Sequence, residues 1–247
     1  MSEIRLIVLD IDGVVSDGEA RPLDLELFAE LTAMNRAARS DPERPAITFC
    51  TGRPAPYLEA MLQAIDGRLP GVYENGAGIY VPAQYQFMTL PGLGELLDGF
   101  DEVTSRLSET LIRDEIAYFQ PGKQHSLTLF ANDPTRTPEL GDLTAEALGP
   151  LSERVDLVYS TSCLNILPRG VDKGRGLAHL AGMVDIPLPN MLGVGDSDVD
   201  LPFLRLVGHS AAPANANSNV KDLVEYVSME ATTEGVRDIL AHYELIS

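Results

Sequence analysis

Asp10 and Asp12 stand one residue apart at the end of the first apolar run, RLIVLDIDGVVSDG, and Gly13 follows them at once. A carboxylate taken out of water is costly unless something offsets its charge. The pair therefore points either to a solvated loop or to a bound cation. In an extended strand, residues two apart face the same way. Both carboxylates then meet at the carboxyl end of the first strand, where open α/β sheets bind ligands. Gly13 lets the backbone turn away sharply. A second acidic group, Asp196, Asp198 and Asp200, follows another apolar run in GVGDSDVDLPFL. An EF-hand does not account for it, because Leu201 stands where the loop glycine belongs and Val207 where the final Glu belongs. Asp198 suits a helix N-terminus, where the dipole favours acids.

Two basic stretches complement these acids. In CTGR, the Thr51 hydroxyl, the turn at Gly52 and the Arg53 guanidinium follow a second apolar strand, and both side chains can donate to oxyanions. In RGVDKGRGLAHL, Lys173 opens a helix that Asp172 can cap. A helix N-terminus favours anions, and an ammonium there adds a point charge. Singly, these features also read as a common turn, a surface arginine and a solvated lysine. Together they coincide: each lies just past an apolar strand or at a helix start, so one parallel sheet would gather them at one edge. Acids at 10, 12, 196 and 200 on that edge would repel one another without a cation. Oxygen donors with no His or Cys cluster point to Mg²⁺.

The elements needed to position these residues are legible. RLIVLD, AITFC, GVYE, NMLGVGD and GHSAAPA read as buried strands. Leu23, Leu27, Leu31, Met34 and Ala38 recur at helical spacing, with Pro42 and Pro45 beyond them. Leu58, Met61, Leu62 and Ile65 mark a second helix; further helices are predicted over 174–184, over 198–206 and in EGVRDILAHY. Strands that are apolar throughout, alternating with helices, argue for a parallel sheet covered on both faces. The middle of the chain differs. HSLTLFA alternates polar and apolar residues, as a half-exposed antiparallel strand does, and CLNILP is another strand-like segment, with helical stretches between them. Punctuation at Pro82, Pro91, Gly92 and Gly94, and again at Pro168 and Gly170, suits two linkers around an inserted domain.

The 247 residues carry a net charge of −19, with 45% hydrophobic residues. This is a globular composition with room for a substantial core. An acidic surface argues against nucleic acid as a partner, but a small anionic substrate is compatible if positive charge is concentrated in one cleft. Only Lys123, Lys173 and Lys221 are lysines. Cys50, inside AITFC, reads as a buried reduced thiol, and with Cys163 it forms no disulfide framework. The N-terminal MSEIRLIVLDID lacks the long apolar centre of a signal peptide, and no stretch is long enough to span a bilayer. The expectation is a cytoplasmic protein with no membrane partner.

In order, D-x-D-G, T-G-R, a lysine opening a helix, and G-D-x-x-x-D resemble the haloacid dehalogenase (HAD) superfamily of phosphatases. The spacing is similar to the Cof-like branch, in which a cap is inserted between the second and third motifs. ENGAGIY, PRGVDKG, ANANSNVKDLVEYV and TTEGVRDIL add to the likeness. It spans nearly the whole chain, is specific in the core and general in the cap, and looks most like archaeal-type phosphoglycolate phosphatases and sugar-phosphate phosphatases. The resemblance implies an α/β fold: a Rossmann-like parallel-sheet core over 1–81 and 171–247, with an inserted α+β cap over 82–170 that selects substrate. It implies that Asp10 is the nucleophile and that Asp12 protonates the leaving oxygen and then activates water. Thr51 and Lys173 would hold phosphoryl oxygens, with Gly52, Arg53 and Asn75 completing the substrate-binding set. Asp10, Asp196 and the Asp12 backbone carbonyl would coordinate Mg²⁺, supported by Asp200.

The implied function is Mg²⁺-dependent hydrolysis of a small phosphorylated metabolite, a sugar phosphate or a phosphoglycolate-like ester. A phosphomutase on the same scaffold and a non-catalytic phospho-ligand binder are the alternatives. A receiver-like signalling domain shares the residue types but needs about half the length and no cap. One departure stands out: the branch has Asn just before the last motif Asp, and this chain has Val199. Asn215 and Ser197 are the candidates to replace it. Within the cap, Lys123 and His125 in PGKQHS are the groups singled out, a solvated loop being the plainer reading of each.

Overall fold

The computed structural model describes residues 3–246. In chain order its strands are β1 (Leu6–Leu9), β2 (Ala46–Phe49), β3 (Gly71–Tyr73), β4 (Gly78–Val81), β5 (Gln86–Thr89), β6 (Ala117–Phe119), β7 (Leu127–Ala131), β8 (Val155–Tyr159), β9 (Leu164–Pro168), β10 (Met191–Val194), β11 (His209–Ala212) and β12 (Tyr226–Val227). The α-helices are α1 (Leu25–Ser40), α2 (Ala55–Ala64), α3 (Leu93–Leu96), α4 (Phe100–Leu107), α5 (Leu140–Leu148), α6 (Lys173–Val184), α7 (Leu201–Leu204), α8 (Ser218–Lys221) and α9 (Thr232–His242).

Five strands form a parallel sheet in the order β12-β11-β10-β1-β2. Alternate residues of β1 serve opposite layers, as a pleated strand requires. Ile7 and Leu9 pack with Leu27, Leu31, Leu58 and Ile239 from α1, α2 and α9. Leu6 and Val8 pack with Leu177, Leu180, Phe203 and Val220 from α6, α7 and α8. Both faces are covered, which is why these strands are apolar at every position. The architecture is the Rossmann-like α/β core that the sequence predicts. Asp24 caps α1 by accepting from the Glu26 and Leu27 amides, and α1 ends at Ser40, ahead of the two prolines.

β3 continues beside β2 through a bridge between Cys50 and Val72, then runs into an antiparallel β3-β4-β5 meander. A separate antiparallel sheet, β6-β7-β9-β8, has its own apolar cluster with α4 and α5, built on Phe100, Val103, Leu107, Leu129, Leu140 and Ile166. One expectation changes here. The alternation in β7 does not face solvent, since Thr128 is buried and donates to Asn165 of β9. A polar face is equally suited to water or to a polar cavity, and here it lines a cavity. The helix expected over 198–206 is also shorter: a tight turn at Asp198–Asp200, closed by a Ser197–Asp200 capping box, leads into four-residue α7. No helix among the described residues is long and apolar enough to cross a membrane.

Candidate active site

Strand register explains how distant motifs converge. Leu9 of β1 is level with Phe49 of β2 and Val194 of β10. The loops that leave these strands therefore start side by side, carrying Asp10, Thr51 and Asp196. Asp10 donates its amide to the Val194 carbonyl at 2.9 Å, and Cys50 donates to Leu9 at 2.9 Å, which holds the loops in step. Gly13 is required by this approach: its φ is +77°, and a Cβ there would sit 2.1 Å from an Asp196 carboxylate oxygen.

Asp10, Asp196 and Asp200 form a buried cluster whose ligand oxygens lie within 4.8 Å of one another. Lys173, the first residue of α6, stands behind them without exposed surface. Its Nζ reaches Asp10 Oδ1 at 2.8 Å and Asp200 Oδ1 at 2.6 Å. This is no solvated lysine. Asp172 caps α6 as predicted, by accepting from the Arg175 amide at 2.8 Å. The other Asp200 oxygen accepts from the Asp196 and Ser197 amides, both at 3.0 Å, so Asp200 shapes the loop as well as holding Lys173.

Burial and then the Asp200 charge push the Asp10 carboxyl well above its usual range, and the same two causes bring Asp196 to about 7. Burial opposes the charge of Lys173, but Asp10 and Asp200 outweigh it and raise its pKa. Lys173 offsets one of three negative charges, leaving the charge that one divalent cation would neutralise. Three hard oxygen donors with no sulfur or imidazole fit Mg²⁺ on donor chemistry.

The Asp12 carboxylate is not part of this cluster. Both its oxygens accept from Arg53, at 2.6 and 2.5 Å, and Arg53 also approaches Glu19 at 3.7 Å. Arg53, expected on substrate oxygens, is thus occupied by carboxylates. Thr51 is fully buried; its hydroxyl oxygen accepts from the Arg53 amide at 3.1 Å. Asn75 is buried, and a Cβ on Gly52 would lie 2.9 Å from its Oδ1. Val199 borders the cavity as a buried apolar residue. Neither suggested replacement is free: Asn215 donates to the Gly13 carbonyl and accepts from the Thr232 amide, and Ser197 donates to Asp200 at 3.4 Å. Cys50 is buried as expected, and burial pushes its thiol up.

A cavity of about 300 Å³ opens over these groups, closed on its far side by Lys123, Thr128, Thr161 and Asn165. Thr161 donates to Asp196 at 3.3 Å and Ser162 to Glu19 at 3.0 Å, so the loop between β8 and β9 reaches the acid cluster. Thr128, Asn165 and Glu74 escaped the sequence reading. Glu74 stood inside the quoted ENGAGIY stretch, and Thr128 was the polar member of an alternating strand.

The fold and site define a class, hydrolytic enzymes with a Rossmann-like sheet. The chain belongs to the haloacid dehalogenase-like hydrolase family, whose model matches residues 110–240, just over half of it and including Lys173, Asp196 and Asp200. It is 27% identical to a phosphoglycolate phosphatase of Methanopyrus kandleri over 238 residues, 95% of either chain. A crystal structure of a Thermoplasma acidophilum protein superposes with a TM-score of 0.71 at 22% identity, over 98% of this chain and 99% of that one. The sucrose-phosphatase of Synechocystis, solved with sucrose and phosphate, gives a TM-score of 0.72 at 17% identity and covers 100% of both chains. At such identities the two structures speak for the fold.

Proposed function

We propose that this protein is a Mg²⁺-dependent phosphatase that hydrolyses a small phosphomonoester, a sugar phosphate or a phosphoglycolate-like ester, through an aspartyl-phosphate on Asp10. The observation that carries this reading is the buried Lys173 ammonium set between Asp10 and Asp200, with Asp196 alongside. The name of the Methanopyrus relative agrees with it. Residues 1–81 and 171–247 act as the catalytic core, and 82–170 as the cap that selects substrate.

Asp10, Asp196 and the Asp12 backbone carbonyl would hold the cation, with Asp200 in support. When bound, it supplies positive charge that screens a dianionic phosphate from a carboxylate nucleophile. Asp10 attacks phosphorus, the ester P–O bond breaks, and the leaving oxygen takes a proton from Asp12. Asp12 then takes a proton from water, whose oxygen attacks phosphorus, frees phosphate and restores Asp10. The proton gained in this step is the one given in the next turnover. An ammonium has three donors; Lys173 spends two on carboxylates and keeps one for a phosphoryl oxygen. Thr51 accepts from the Arg53 amide, which leaves its own hydrogen for another phosphoryl oxygen. An arriving phosphate competes for the Arg53 guanidinium and so frees Asp12 for proton transfer.

A single turnover of ³²P-labelled ester, quenched in acid, tests the nucleophile. Label is expected on the peptide that contains Asp10, removable by hydroxylamine, and Asp10→Asn should give neither label nor turnover. Normal turnover by a clean Asp10→Asn preparation would mean that another group attacks.

A further inference from the structure

Three cations border the cavity: Arg53, Lys123 and Lys173. Arg53 is paired with Asp12 and Glu19, and Lys173 with Asp10 and Asp200. Lys123 belongs to no ion pair among those found in the described residues. It donates instead to the Thr128 hydroxyl. That hydroxyl donates to Asn165 Oδ1 at 2.9 Å, and Asn75 Nδ2 donates to the same oxygen at 3.3 Å. Thr128, Asn165 and Asn75 are 1%, 4% and 1% exposed, so the ammonium ends on an interior polar wall, although Lys123 is half-buried and its neighbours Gly122 and Gln124 are exposed. The Asn75 Oδ1 atom in that wall is buried without a hydrogen-bond partner. Burial of the ammonium draws Lys123 down to about 8 against the pull of the more distant Glu74 charge, and no carboxylate among the described residues lies within ion-pair distance of it. The phosphoryl-transfer steps above make no use of it.

The backbone around Lys123 is fastened to the core. Glu74, 1% exposed, accepts from the Gln124 amide at 2.9 Å, the His125 amide at 2.8 Å, and the Ser126 amide and hydroxyl at 2.9 and 3.2 Å. On the core side, Glu74 donates its amide to the Arg53 carbonyl and Asn75 to the Thr51 carbonyl, both at 3.0 Å. Glu74 and Asn75 both hold left-handed backbone, at φ +48° and +54°, a conformation costly for residues other than glycine. One strained turn thus ties the T-G-R loop to the loop that bears Lys123.

We propose that Lys123 is a specificity residue that reads a carboxylate carried on a short chain beside the phosphoryl ester, and that Glu74 positions it. The proposal rests on the phosphatase reading. One ammonium beside a hydroxyl and an amide matches a singly charged oxyanion. A cavity of about 300 Å³ is at the small end of ligand sites and suits an ester of few carbons. Neutral sugar hydroxyls would leave the ammonium without a counter-charge.

The test compares kcat and KM for 2-phosphoglycolate and for ethyl phosphate, which lacks the carboxylate. Wild type should prefer phosphoglycolate. Lys123→Gln should raise its KM for phosphoglycolate by about 30-fold, the scale of one charged hydrogen bond, with kcat within about threefold. Its KM for ethyl phosphate should rise far less, so the preference collapses. Lys123→Arg should restore part of it. Glu74→Gln should shift KM in the same direction, and by much less in the Lys123→Gln background, because it acts through Lys123. If Glu74→Gln does not fold, the Lys123 variants decide alone. An equal loss on both esters, or an unchanged KM for phosphoglycolate, would overturn the proposal while leaving the phosphatase reading intact. Wild-type protein that releases phosphate from neither ester, or from any other monoester, would overturn both.

Discussion

A lysine with no exposed surface, held between two carboxylates, tests the account at the scale of single residues. Solvated-residue reasoning says that Lys173→Ala costs about 0.5 kcal/mol or less. The structure gives a different expectation, because removing one partner of a buried pair costs about 3–5 kcal/mol. Lys173→Ala should therefore lower Tm without divalent cation, and added Mg²⁺ should recover part of the loss by mass action. Turnover should fall by at least about 10²-fold, the scale for losing one preorganised donor. Lys221, whose ammonium bonds the Ala214 carbonyl, is the matched control, and Lys221→Ala should leave turnover near wild type. Equal behaviour of the two variants would remove the cationic half of the site. Asp10, Lys173, Asp196 and Asp200 were legible because their types recur at strand ends and a helix start. The Arg53–Asp12 pair was not, because a long side chain chooses its partner by geometry that spacing does not encode. Glu74 was hidden for the same reason, its partners lying 50–52 residues away.

At the scale of elements, α1 and α9 are joined by Arg237, which bonds Asp24 Oδ2 at 2.9 Å and Glu30 at 3.1 Å. The hydrogen bond from Arg237, aided by the Leu27 amide, holds the Asp24 carboxyl down at about 2. A carboxylate whose pKa is depressed by folding stabilises the native state above its unfolded value and loses that contribution as pH falls through the folded one. The window runs from about 4 to about 2. Thermal melts of Arg237→Gln against wild type should show a gap near neutral pH that narrows across this window. A gap that stays constant down to pH about 2 would detach Asp24 from the stability of this contact. The buried strands and α1, α2, α6 and α9 were legible because their apolar residues recur with periods of one, two or 3.6. β7 was misjudged because a polar side chain signals that one face is wet or polar, without saying whether water or a cavity lies there.

Across the whole molecule, a chain with a net charge of −19 gathers three of its 18 basic residues around one cavity. The same lining carries Asp10, Asp12, Asp17, Glu19 and Asp196, so its charge stays negative until a divalent cation is added, and only then is a small anion no longer repelled. The segment proposed as a cap is joined to the core by the β4-β5 pairing and by an apolar cluster of Ala77, Leu90, Leu93 and Val171, and over the cavity it meets the core through Asn165 on Asn75, Ser162 on Glu19, Thr161 on Asp196 and the loop on Glu74. The contacts over the cavity are polar, so the β6-β7-β9-β8 sheet is expected to lift from the acid cluster at the chain on either side of it, near Pro91 and Gly170, to admit substrate. Scattering curves of the free protein and of protein with Mg²⁺ and orthophosphate should differ, the second being more compact; identical curves would argue for a rigid cleft. The most direct measurement of all is release of inorganic phosphate from a panel of small phosphomonoesters by the purified protein, with Mg²⁺ and after exhaustive chelation. The account predicts release from at least one short ester with Mg²⁺, near-complete loss with chelator, and return when Mg²⁺ is restored. Full activity after chelation would contradict a cation at Asp10, Asp196 and Asp200, and no release from any ester with Mg²⁺ would contradict the phosphatase itself.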